Sequence, residues 1–125
     1  MTKIMTASII LDDVKAGKLN LSDEITVSEK AAGMGGSQVF LDANSTHTIK
    51  NLLKAVVIAS ANDAAVALSE AASGSEDAFV KRMNDKAEKL GLSNTNFVNA
   101  TGLPALNAYS SAKDVSYMLK NLLSH

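Results

Sequence analysis

Cysteine and tryptophan are absent from the 125 residues, proline occurs once, and aromatic side chains make up only 4%. Without cysteine the chain can build no disulfide framework, no thiolate metal site and no cysteine nucleophile. So few aromatics also exclude base-stacking platforms and aromatic cages for cations. Charge of one sign is lacking too. The 12 basic and 13 acidic side chains leave a net charge of −1, whereas a nucleic-acid binder needs a clear basic surplus to neutralise phosphates. The longest apolar run, 52–72, is broken by Lys54, Asn62, Asp63 and Glu70. Such groups cost several kcal/mol inside a bilayer, so the run reads as a buried helix pair and not a membrane span. The start, Met1-Thr2-Lys3-Ile4, has no basic region leading into an apolar stretch and a cleavage site, so no signal peptide is read there.

What remains is 46% hydrophobic and 20% charged, the balance of a soluble globular chain and enough for one core. Ile4, Ala7, Ile10, Leu11 and Val14 recur at helical spacing up to Gly17, and no cap is visible ahead of Met1, so this helix is expected to continue from upstream sequence. Ile25 and Val27 alternate with polar neighbours, and Val39, Phe40 and Leu41 read as a second strand-like run after the turn at Gly33, Gly35 and Gly36. A glycine-rich turn cradles phosphate only when it leads into a helix, and a strand-like run follows this one. Thr48 is the expected N-cap of a helix with Ile49, Leu52, Leu53, Val56 and Val57 on its apolar face. After a break at 60–63, a small-residue face runs from Ala64 to Ala72, suited to close helix packing. Ser75 opens a further helix, with Phe79, Val80, Met83, Ala87 and Leu90 inward and Lys81, Arg82, Asp85, Lys86, Glu88 and Lys89 as a solvated face. The segment 92–109 reads as a long loop, and Ser111 with Asp114 caps a last helix whose buried stripe is Val115, Met118, Leu119, Leu122 and Leu123. The expectation is five helices and two or three short strands, mainly α.

Two places carry chemistry. At Ser60-Ala61-Asn62 two hydrogen-bonding side chains interrupt an apolar stretch; they either cap the next helix or face a ligand. Lys3 sits on the first turn of an apolar helix, where it is either a solvated end residue or a buried amine with a lowered pKa. A hydroxyl three residues earlier would share its helix face, the logic of S-x-x-K, in which a neutral amine takes the serine proton. His47 and His125 have no cysteine or paired carboxylate nearby, so no metal site is read, and no cofactor.

Taken in order, the motifs resemble one family. Met1-Thr2-Lys3-Ile4-Met5-Thr6 is similar to the continuation of S-x-T-K-x-M-T in low-molecular-weight penicillin-binding proteins, the serine D-alanyl-D-alanine carboxypeptidases, and Ser60-Ala61-Asn62 is similar to their S-x-N. Gly74-Ser75, Phe79-Val80, Met83-Asn84, Leu90-Gly91-Leu92, Thr95-Asn96-Phe97, Gly102-Leu103 and 109–114 follow the family pattern at the right spacing. Each motif is weak alone, but the ordered set is specific. Class A β-lactamases share S-x-x-K and a later S-D-N; the middle residue here is Ala61, which ranks them below.

The resemblance implies the helical lobe of the β-lactamase/penicillin-binding transpeptidase-like α+β fold, with the main sheet missing and residues 1–125 as a single partial domain. It implies Lys3 as the amine that activates a serine, Ser60 as a proton relay and Asn62 as the residue that orients the substrate amide and supports the lysine. It further implies peptidoglycan stem peptides and β-lactams as ligands of the intact enzyme, and an extracytoplasmic setting in the cell envelope. Position zero, where the serine would stand, precedes Met1, and no K-T-G triplet follows Ser60, so the expectation is an inactive fragment. Faces left by the missing sheet are expected to be apolar and to drive homo-oligomerisation. The alternatives are a non-catalytic helical binding module of the same descent and a plain helical protein with a coincidental likeness.

Overall fold

The computed structural model describes residues 2–103 and 109–124; Met1, His125 and positions 104–108 of the expected long loop lie outside the described residues. Six helices and two short strands follow one another as α1 (Thr2–Lys15), β1 (Glu24–Thr26), α2 (Glu29–Ala32), β2 (Thr46–Thr48), α3 (Ile49–Ala59), α4 (Asn62–Ser73), α5 (Glu76–Lys89) and α6 (Ala112–Leu123). The strands form an antiparallel pair in which Glu24 faces Thr48, Ile25 faces His47 and Thr26 faces Thr46. This is the mainly α architecture expected from the hydrophobic periodicity.

α4 is the centre of the molecule. Every residue from 61 to 69 is buried, and the run of alanines lets α3, α5 and α1 approach it closely. Around it pack Met5 and Ile10 of α1, Leu52 and Val56 of α3, and Phe79 and Met83 of α5, while α6 packs on α1 and buries Met118. Helix starts are set locally, as expected. Thr48, Ser75 and Ser111 each accept from a backbone N–H three residues on, at 3.2, 3.1 and 3.1 Å. The short α2 was not expected. Ser28 caps it by accepting from Ala31 N–H, while its hydroxyl donates to Glu70 at 2.6 Å and ties the turn to α4.

Three expectations are corrected. Val39, Phe40 and Leu41 form no strand, because Asp63 takes the N–H groups of Val39 and Leu41 and leaves Phe40 in the left-handed region at φ 58°. The charged side of α5 is not wholly solvated: Arg82 grips Asp13 and Lys86 pairs with Asp12, joining α5 to α1. The apolar stripes are incompletely covered: Val57 of α3 and Leu119 and Leu123 of α6 are exposed, Leu123 at 76%, and Ile58, outside the expected stripe, is 81% exposed beside them.

Candidate active site

α3 and α4 meet at a corner of two residues, Ser60 and Ala61. Ser60 ends α3 in the left-handed conformation, φ 53° and ψ 38°, and its backbone N–H donates to Ala55. Ala61 occupies the N-cap position of α4 and offers the first turn no side-chain acceptor. The capping explanation for Ser60 and Asn62 is therefore set aside. The Ser60 side chain is exposed at the corner, whereas Asn62 is only 2% exposed.

Ser60 and Lys3 line the same cleft, of about 490 Å³, which runs between α1, α3 and α6. Its walls include Thr2 and Ile4 of α1, Val56 of α3 and Leu122 of α6, and the segment 101–102 closes one side. That segment is held hard against α1. Thr6 donates to the Ala100 carbonyl at 2.9 Å, and a Cβ on Gly102, at φ +83°, would come within 3.2 Å of Thr2. Only glycine lets the chain pass this close in that conformation. Partial burial in the cleft lowers the Lys3 pKa from its ordinary value of 10.5, since desolvation disfavours the ammonium form. A lowered pKa leaves more of the amine unprotonated, and so able to accept a proton, than an exposed lysine would have.

Asn62 does not line this cleft; it is the first residue of α4 and turns toward the glycine-rich segment. Its Nδ2 donates to the Gly35 carbonyl at 2.8 Å and its backbone N–H to the Ser37 carbonyl at 2.7 Å. Oδ1 is buried and has no hydrogen-bond partner among the described residues. An orphan acceptor of this kind is costly in a folded interior, so a donor that reached it would be favoured.

Asp63 was noticed in the sequence only as an interruption of an apolar run. It is fully buried, and its oxygens accept from Val39, Leu41 and Ala64. The signal that could have found it is a carboxylate directly after S-x-N at a helix start, with a glycine-rich stretch upstream in need of hydrogen-bond partners. Among the described residues no group of three or more histidine, cysteine, aspartate or glutamate side chains could hold a metal ion.

Comparison with known proteins follows the same lines as the geometry. The family model described as D-alanyl-D-alanine carboxypeptidase matches residues 1–125. The chain is 52% identical over 125 residues to the D-alanyl-D-alanine carboxypeptidase DacF of Bacillus subtilis, covering all of this chain and 32% of the relative. It is 38% identical over 129 residues to the D-alanyl-D-alanine carboxypeptidase DacC of Escherichia coli, covering 98% of this chain and 32% of that protein. Among solved structures, penicillin binding protein 5 of Haemophilus influenzae superposes with a TM-score of 0.95 at 37% identity, over 98% of this chain and 37% of the other. The chain thus spans about a third of the length of the curated relatives it matches. With the family model matched from end to end, the chain belongs to the D-alanyl-D-alanine carboxypeptidase family.

Proposed function

We propose that these residues form the helical part of a serine D-alanyl-D-alanine carboxypeptidase that removes the terminal D-Ala of peptidoglycan stem peptides. Lys3 serves as the base that takes a proton from a serine one helical turn upstream. The serine oxygen attacks the D-Ala-D-Ala carbonyl and forms an acyl-enzyme. Ser60 relays the proton toward the leaving amine, and D-Ala departs. Water then hydrolyses the ester, its hydroxyl going to the acyl carbon and its other proton, taken up by Lys3, passing to the serine oxygen as the acyl–oxygen bond breaks. Asn62, which does not line the cleft here, orients the substrate amide only if substrate binding turns its carboxamide from the Gly35 carbonyl toward the cleft. A β-lactam enters the same sequence as a substrate that acylates the serine. The work is done in the cell envelope, where such peptides reside; among the described residues no helix is long and apolar enough to cross a membrane.

One observation carries this reading: the partly buried Lys3 amine, its pKa lowered, shares a cleft with the Ser60 hydroxyl. The 125 residues contain neither a serine three positions ahead of Lys3 nor a K-T-G triplet after Ser60.

The test is labelling with a fluorescent penicillin. The 125-residue chain stays unlabelled, while a polypeptide extended on both sides to the length of its relatives is labelled and loses the label on Lys3→Ala. An extended polypeptide that carries the serine at its expected place and never acylates would overturn the enzyme reading in favour of a binding module.

The apolar surface at Val57, Ile58, Leu119 and Leu123 supports a further part of the proposal, that the isolated chain self-associates through this face.

A further inference from the structure

The segment 35–41 has no helix or strand of its own, yet four hydrogen bonds strap it to the two residues that open α4. Asn62 supplies two donors, Nδ2 to the Gly35 carbonyl and N–H to the Ser37 carbonyl. Asp63 supplies two acceptors, Oδ1 to Val39 N–H at 3.2 Å and Oδ2 to Leu41 N–H at 3.0 Å. Because the carboxylate takes alternate N–H groups, Phe40 between them is forced to a positive φ and its ring is 78% exposed. Gly36 fits inside the strap at φ +71°, and a Cβ there would stand 2.7 Å from Asn62 Nδ2.

A carboxylate in the first turn of a helix is favourable for the helix alone, and the bond from Ala64 N–H to Oδ1 serves that purpose. The bonds to Val39 and Leu41 reach 24 and 22 residues back and contribute nothing to helix capping. Their effect is to hold the strap, and the strap holds the carboxamide.

We propose that Asp63 is a positioning residue for Asn62. Its carboxylate clamps 39–41, the clamped strap presents the Gly35 carbonyl to Nδ2, and the carboxamide is thereby locked with Oδ1 free to accept. The catalytic value of that acceptor rests on the role proposed above for Asn62; the positioning does not.

The test is nitrogen-15 NMR on the 125-residue chain, comparing wild type with Asp63→Ala and Asp63→Asn. Asp63→Asn keeps the side-chain size but turns a donor toward one of the two N–H groups. In both variants the Val39 and Leu41 amides and the Asn62 side-chain NH2 lose exchange protection by about tenfold or more, as expected for loss of a charge-assisted bond. The NH2 signals also move to the position of a freely rotating carboxamide, while the Val66 and Leu68 amides of α4 keep their protection. Unchanged Asn62 NH2 signals alongside freely exchanging Val39 and Leu41 amides would overturn the proposal. So would a uniform loss of protection along α4, the mark of a simple helix cap. Gly36→Ala leaves Asp63 intact and serves if both variants unfold. It shifts the Asn62 NH2 signals while Val39 and Leu41 stay protected, and unmoved NH2 signals there would overturn the proposal as well. Penicillin labelling of the extended polypeptide reports separately on the catalytic reading, so the two can fail independently.

Discussion

Arg82 holds Asp13 by two nitrogen–oxygen bonds of 3.0 and 2.6 Å, a forked pair that fastens α5 to α1 across 69 residues of chain. The pair is lopsided, with the Arg82 side chain 35% exposed and that of Asp13 only 6%. Arg82→Met therefore strands a buried carboxylate and costs about 3 kcal/mol or more, whereas Asp13→Asn leaves a guanidinium that water can reach and costs about 1–2 kcal/mol. Urea unfolding of the two variants measures the difference, and equal losses would contradict it.

Lys3 gives a pH dependence of defined sign. Burial lowers its pKa in the folded state below the ordinary 10.5, so the folded chain binds fewer protons than the unfolded chain between the two values. Stability contributed by this group rises with pH through that window and is flat below it. Lys3→Met removes the rise, and its stabilisation relative to wild type is greatest at neutral pH and shrinks as pH approaches 10.5. Denaturation midpoints from pH 7 to 10.5 test this, and nitrogen-15 titration of the Lys3 amine reads the lowered value directly.

Phe40 is a bulky residue held at φ 58° with its ring in solvent. Glycine adopts that conformation without the steric penalty of about 1–2 kcal/mol, against which its greater freedom in the unfolded chain must be set. Phe40→Gly is expected to stabilise the chain by about 0.5–1 kcal/mol in thermal or urea unfolding. A loss of stability would mean that the ring packs in a way the structure does not contain.

Self-association of the isolated chain depends on the open apolar face. The double substitution Ile58→Lys with Leu123→Lys places two charges on side chains that are 81% and 76% exposed, so it should leave folding intact. Light scattering after gel filtration is expected to show wild type above monomer mass and the double variant at monomer mass. A wild-type monomer at high concentration would count against association through this face.

Much of the architecture was legible because it is local. Thr48, Ser75 and Ser111 cap helices through bonds that span three residues, and such bonds leave a mark in a short window of sequence. What escaped depends on distant partners. Val39 and Leu41 look like strand residues until a carboxylate more than twenty positions later takes their N–H groups. Arg82 looks solvated until Asp13 arrives from the first helix. Asn62 could have turned toward the cleft or away from it. The Gly35 carbonyl, 27 residues earlier, fixes its direction, and no periodicity encodes that contact. Lys3 and Ser60 line one cleft and Asn62, grouped with them by the family resemblance, does not; no spacing rule links α1 to the end of α3.

The corner between α3 and α4 allows no slack. Ser60 stands where the backbone would relax if the residue were glycine, and a serine in that conformation is uncomfortable by about 1 kcal/mol. Anyone engineering a hardier version of the molecule by substituting left-handed residues with glycine would find this position attractive and would delete the oxygen at the mouth of the cleft. Durability and oxygen placement are thus opposed at a single residue.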